Sequence, residues 1–237
     1  EKIMKCIVFS IILLTFFVQY TFAMQQEPHY PYWLPEYSDM PQEFTYKKMP
    51  EAYKDKLHTE QWNTIVASAH CMNIPLDHLN LTFEDKDIVA SASTKQKNGK
   101  TEYKININPT WLTKLGWQSN DIAQLSFVMG HEMSHLRHHD GKQTVENYNM
   151  KLKALVAYGG FQTFQGFKNN WSFKKVIKEC YVKLLAGFFF INVLSNLENH
   201  QRELRCDREA ALHCIGDGSR QSTIIGGIAF FSSFKKE

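Results

Sequence analysis

The run His131-Glu132-Met133-Ser134-His135, followed much later by Glu203-Leu204-Arg205-Cys206-Asp207, constrains this chain more than any other feature. Residues four apart share one face of an α-helix, so His131 and His135 can turn both imidazoles toward one point, with Glu132 beside them. A hydrolytic zinc site takes three protein ligands and keeps one position open, and the second run offers Glu203 as the third ligand. Asp207, one helical turn past Glu203, is spaced to accept a hydrogen bond from the far nitrogen of a ligand histidine. With ten histidines in the chain, an HExxH pattern arises by chance on the order of a few per cent of the time. The competing reading is an amphipathic helix with solvated histidines.

The flanking residues make both runs helical. Ser119-Asn120-Asp121 reads as a helix start with an acid in its first turn, and Ile122, Leu125, Met129, Met133 and Leu136 recur at helical spacing. Asp140-Gly141 reads as the stop, which predicts a helix of about six turns. His138 and His139 then fall in its last turn, beside exposed carbonyls, and are not assigned to a metal. For the second run, Ser195 or Asn196 reads as a cap and Gly216 as an end.

The segments Asp121–Asp140 and Arg202–Ala210 together resemble the heat-shock protease HtpX and CAAX prenyl protease family of zinc metallopeptidases, which are gluzincins. The likeness covers about residues 100–230 and rests on two motifs and their order. It implies that His131, His135 and Glu203 hold one zinc ion, that Glu132 is the general base, and that Asp207 supports a ligand histidine. Cys206 departs from the pattern, which usually has alanine there; a small buried thiol fits that space. The family also includes multi-pass membrane proteins, and this chain lacks their full set of spans.

The rest of the sequence sets the frame. At 237 residues, 43% hydrophobic and 14% aromatic, the chain can bury a substantial core, and residues 51–237 are expected to form one metallopeptidase domain. The net charge is +3 with no basic stripe, which argues against a nucleic-acid partner. Met4-Lys5, an apolar run from Ile7 to Val18 and small residues ending at Ala23 read as a signal peptide over residues 1–23. That predicts an exported protein, periplasmic or secreted; if the segment stays uncleaved, it anchors the chain to a membrane. Residues 24–50, rich in Pro, Tyr and acids, read as an extended arm. The four cysteines left after removal of the leader allow three disulfide connectivities or none. A Cys206–Cys214 bridge is disfavoured by a separation of about 12 Å along one helix.

Ahead of the first motif, a helical pattern around Glu51–His70 precedes strands at Leu79–Phe83, Ile88–Ala92 and Thr101–Asn108, the last pair joined by an Asn98-Gly99 turn. The fold class expected is α+β: a zincin-like, mainly helical catalytic domain with a small sheet before the HExxH helix. Lys104–Asn108 is the candidate edge for binding a substrate backbone as an added strand. Between the two motifs, Leu184–Leu194 is an apolar run shorter than the about 20 residues of a crossing helix. It reads as a core helix in preference to a membrane-touching patch. The function expected is cleavage of polypeptides, unfolded or damaged ones by the family resemblance, through a zinc-activated water with Glu132 as proton acceptor. The alternative is a catalytically weak zinc-containing chaperone-like or binding module, free or membrane-associated; Glu132 argues against a purely structural zinc. No residue identifies itself as the oxyanion donor, His213 and Arg220 being only candidates.

Overall fold

The computed structural model describes residues 47–97, 99–115, 119–213 and 220–233. They lie within one compact unit bounded by Tyr46 and Glu237. The leader at 1–23, most of the arm at 24–50, Asn98, Cys214 and Gly216 lie outside the described residues.

After a 3-10 turn at Glu51–Tyr53, helix α1 (Thr59–Cys71) begins with a reciprocal cap. The His58 amide donates to Gln61 Oε1 at 3.0 Å, which satisfies a backbone donor that the first turn would otherwise orphan. α1 buries Trp62, Ile65, Val66 and Ala69. Strands β1 (Leu79–Phe83), β2 (Ala90–Lys97) and β3 (Lys100–Ile107) follow. β3 is the centre of the sheet, parallel to β1 and antiparallel to β2. Gly99, at φ +74°, supplies the left-handed backbone of the tight β2–β3 turn.

This corrects two expectations. β2 starts two residues later than Ile88 and runs on to Lys97, and Ile88 is exposed. Lys104–Asn108 belongs to the central strand and its end, not to an edge, because β1 returns parallel on the far side of β3. Strand order depends on a non-local crossover, which local alternation does not encode.

Asn108 caps α2 (Pro109–Lys114), its side-chain oxygen accepting from the Thr110 and Trp111 amides. α3 (Ser119–Arg137) is the central helix, packed against α1, β2 and the two later helices α5 (Phe173–His213) and α6 (Arg220–Ser233). Leu125, Met129 and Met133 are fully buried and Leu136 nearly so, as the helical spacing required. α6 crosses α3 so closely that a Cβ on Gly226 would lie 2.3 Å from the Ala123 backbone, and only glycine fits there.

α3 stops at Arg137, earlier than expected. His138 and His139 form a corner, with His139 in the left-handed region at φ 53°, and Asp140 starts α4 (Asp140–Lys168) instead of ending α3. α4 and α5 make a long hairpin of 29 and 41 residues, turning at Asn169–Ser172. Ser195 and Asn196 are therefore mid-helix, not caps.

The hairpin also overturns the core reading of Leu184–Leu194. Phe189 is 70% exposed, and Val182, Leu185, Phe188 and Val193 of α5 are exposed with Val156, Phe161, Phe164 and Phe167 of α4. Val176 and Ile191 are buried, and elsewhere along the seam glycines face leucines. A Cβ on Gly187 would meet Leu155 at 2.5 Å and one on Gly159 would meet Leu184 at 2.8 Å. Lys183 Nζ donates to Gln162 Oε1 at 3.1 Å, and Lys151 Nζ to Glu198 Oε1 at 2.7 Å. By length and composition the helix spanning Phe173–Leu212 can cross a membrane, and 6% of its most apolar stretch is buried.

Candidate metal centre

Two helices build the site. α3 presents His131 and His135 one turn apart, and α5 brings Glu203 against them. His131 Nε2 and His135 Nε2 are 3.1 Å apart, their rings edge to face. Glu203 Oε2 lies 3.1 Å from His131 Nε2, and its Oε1 3.5 Å from His135 Nε2. Donors about 2.0–2.1 Å from one zinc ion at tetrahedral angles stand about 3.3 Å from each other. The triangle has that size, and two imidazoles with one carboxylate are a donor set zinc accepts. The histidine side chains are 17% and 18% exposed and Glu203 55%, so the triangle opens to solvent on the Glu203 side.

A carboxylate stands behind each imidazole. Asp207 Oδ1 is 2.8 Å from His131 Nδ1, and Asp140 Oδ2 is 2.8 Å from His135 Nδ1. Arg205 Nη2 donates to Asp140 Oδ2 at 2.6 Å. Desolvation works against a charged His135, but the Asp140 carboxylate on Nδ1, with Cys206 beside it, lifts its pKa to about 10. Burial likewise works against an ionised Asp140, and His135 and Arg205 overcome it to hold the carboxyl at about 2. At Glu132 burial prevails and pushes the carboxyl up, although both imidazoles and a backbone hydrogen bond from Ala92 pull it down. A carboxylate of raised affinity for protons, beside the ligand triangle, suits a group that takes and returns a proton.

The Ala92 contact follows from the sheet. The Asn108 amide donates to the Val89 carbonyl, outside the Ala90–Ile107 pair, so Ala90 and Ala92 point their peptide groups away from β3. β2, packed on α3, is thus the edge beside the site, in place of Lys104–Asn108.

His135, Asp140 and Cys206 form a second group of possible ligands. It is a poor cation site, because the Arg205 guanidinium already occupies Asp140 and a cation there would lie against a fixed positive charge. Cys206 is fully buried, its Sγ 3.4 Å from His135 Nδ1, so the thiol fills the space expected of a small residue. Among the described residues Cys180 and Cys206 are free thiols.

Sequence reasoning missed Asp140, Arg205 and a pin between α3 and α5. In that pin Ser134 Oγ donates to Glu209 Oε2 at 2.7 Å and His138 Nε2 lies 2.9 Å from Glu209 Oε1. Burial opposes the Glu209 charge, but His138 and Ser134 hold its pKa at about 2. The only sequence signal for Asp140 was its place just past the motif. The side chains of His213 and Arg220 lie outside the described residues.

No curated protein and no solved structure matches the chain. The profile of Peptidase family M48 matches residues 62–226, reaching further toward the N-terminus than the motif resemblance and taking in most of α1, the sheet, the ligand triangle and the hairpin. With that match covering more than half of its length, the chain belongs to peptidase family M48, the zinc metallopeptidases that include HtpX and the CAAX protease-like enzymes.

Proposed function

We propose that this chain is a zinc-dependent endopeptidase with a zincin-like fold, held at a membrane on its exported side. The observation that carries the reading is the triangle of His131, His135 and Glu203, of zinc size, with Glu132 next to it on α3. A zinc ion held by these three residues supplies Lewis acidity to a carbonyl and brings the pKa of a water to about 7. Glu132 accepts the water's proton and later returns it to the leaving amine, a role its partly buried, proton-retaining carboxyl suits. Asp207 holds the far nitrogen of His131 and so limits the ring to one orientation and one tautomer. The outward peptide groups of β2 offer an extended polypeptide a strand to pair with, which suits unfolded or damaged chains more than compact ones.

The hairpin favours membrane attachment over a freely soluble enzyme. Water does not leave Phe161, Phe164, Phe167, Phe188 and Phe189 exposed along two helices without cost, whereas glycine-lined helix contacts and inward polar pairs are how helices pack in lipid. Near the turn, Lys168, Lys174, Lys175 and Lys178 flank Trp171 in sequence, and Lys175 Nζ lies 4.6 Å over its ring, which suits a membrane interface. The leader-like segment at residues 1–23 supports export.

Glu132→Gln tests the chemistry. The variant is expected to keep one zinc per chain by metal analysis and to lose casein cleavage by about 10²–10⁴-fold. Unchanged cleavage sinks the peptidase reading, and absence of cleavage in the parent protein returns the binding-module alternative.

A further inference from the structure

The two ligand imidazoles are oriented from different helices, and the second orienting group is one that the HExxH and ExxxD motifs do not contain. We infer that Asp140 is the positioning residue of His135: its carboxylate fixes the proton on Nδ1 and so leaves Nε2 free to face the ion. This rests on His135 being a ligand through Nε2, as proposed above.

Three independent observations carry it. The first is the corner. On an unbroken α-helix a residue five positions on is rotated about 140° away, so Asp140 could not reach His135 had α3 continued. His139, a non-glycine residue in the left-handed region, breaks the helix and swings Asp140 back to 2.8 Å from Nδ1. That conformation costs on the order of 1 kcal/mol, a strain retained where the surroundings over-determine it.

The second is confinement. The Asp140 side chain is 5% exposed, against 31% for Asp207, and Arg205 Nη2 holds the same Oδ2 that faces His135. As the first residue of α4, its carboxylate also sits at the positive end of a 29-residue helix. A buried carboxylate fixed from two sides has one orientation, and it imposes one on the imidazole. The third is the choice of nitrogen. Asp140 takes Nδ1 while Nε2 points to His131 and Glu203, which is the division that a carboxylate-histidine-metal arrangement requires.

The test uses the full chain in detergent. In the metal-free parent protein, nitrogen-resolved NMR of the histidine side chains is expected to show a proton on His135 Nδ1 in slow exchange with water, and Asp140→Ala is expected to lose it. Zinc affinity by chelator competition should fall about 10–100-fold in Asp140→Ala, with Asp140→Asn, which keeps the shape and one acceptor, falling less. Thermal melting of the metal-free proteins separates this from a structural role. A lowered melting temperature with zinc affinity within twofold of the parent overturns the inference, and so does a parent His135 that carries no Nδ1 proton. Should Asp140→Ala fail to fold, the parent spectrum and Asp140→Asn decide. A parent that binds no zinc refutes the metal reading alone, and the metal-free spectrum still decides the Asp140 contact.

Discussion

α3 and the α4–α5 hairpin are both apolar helical segments, yet they turn their side chains in opposite directions. α3 buries Leu125, Met129 and Met133 completely, and the polar groups at its open end are the ones with chemistry to do. The hairpin buries Gly159 and Gly166 and pairs Lys183 with Gln162 and Lys151 with Glu198 across its seam, while Phe161, Phe164, Phe167, Phe188 and Phe189 face out. Burial against protein stabilises the first; the second is built for a surrounding that is itself apolar. The two regions meet at the metal centre, because Asp140 opens α4 and Glu203 lies on α5.

The contrast breaks most readily by substitution. Leu125→Ala on α3 is expected to cost about 3–5 kcal/mol in denaturant unfolding, whereas Phe189→Ala on α5, also a large-to-small change, should stay within about 0.5 kcal/mol for the detergent-free domain. Similar losses at both positions would mean that the hairpin is packed against protein. Phe189 lies midway along Leu184–Leu194, so Phe189→Lys should disfavour membrane insertion by about 3 kcal/mol. A glycosylation-reporter insertion assay reads that shift, and equal insertion of both forms would remove the membrane reading.

The smallest expected effect sharpens the junction between the regions. The Glu209 carboxyl is held at about 2 against an ordinary 4.5, so its bonds to His138 and Ser134 stabilise the fold fully above the ordinary value and are lost as pH falls from there toward about 2. Relative to Glu209→Gln, the parent should be more stable by about 2 kcal/mol at neutral pH, and that margin should vanish through the acid window. A margin independent of pH would remove the charged pin from the account.

The site was far more legible in the sequence than the hairpin, for physical reasons. His131, Glu132 and His135 lie within one helical turn, and local spacing alone puts them together; Glu203 and Asp207 repeat that logic on a second helix. Asp140 was read as a helix stop because Asp-Gly favours ends, and nothing local marks a histidine that adopts left-handed backbone. Leu184–Leu194 was judged by its length alone. Ser195 was read as a cap, but Asn192 Nδ2 bonds back to the Phe188 carbonyl, and the helix runs on through Ser195. The β-edge was misplaced for a third reason: strand order is set by long-range pairing, and the alternation within β3 is the same whether it lies at a centre or an edge.

The central claim is that one ion sits among His131, His135 and Glu203. Anomalous diffraction from zinc-loaded Glu132→Gln crystals tests it most directly. The account predicts one zinc peak about 2.0–2.2 Å from His131 Nε2, His135 Nε2 and a Glu203 carboxylate oxygen. A peak instead among His135 Nδ1, Asp140 and Cys206, or one that leaves Glu203 out of the coordination sphere, would contradict it.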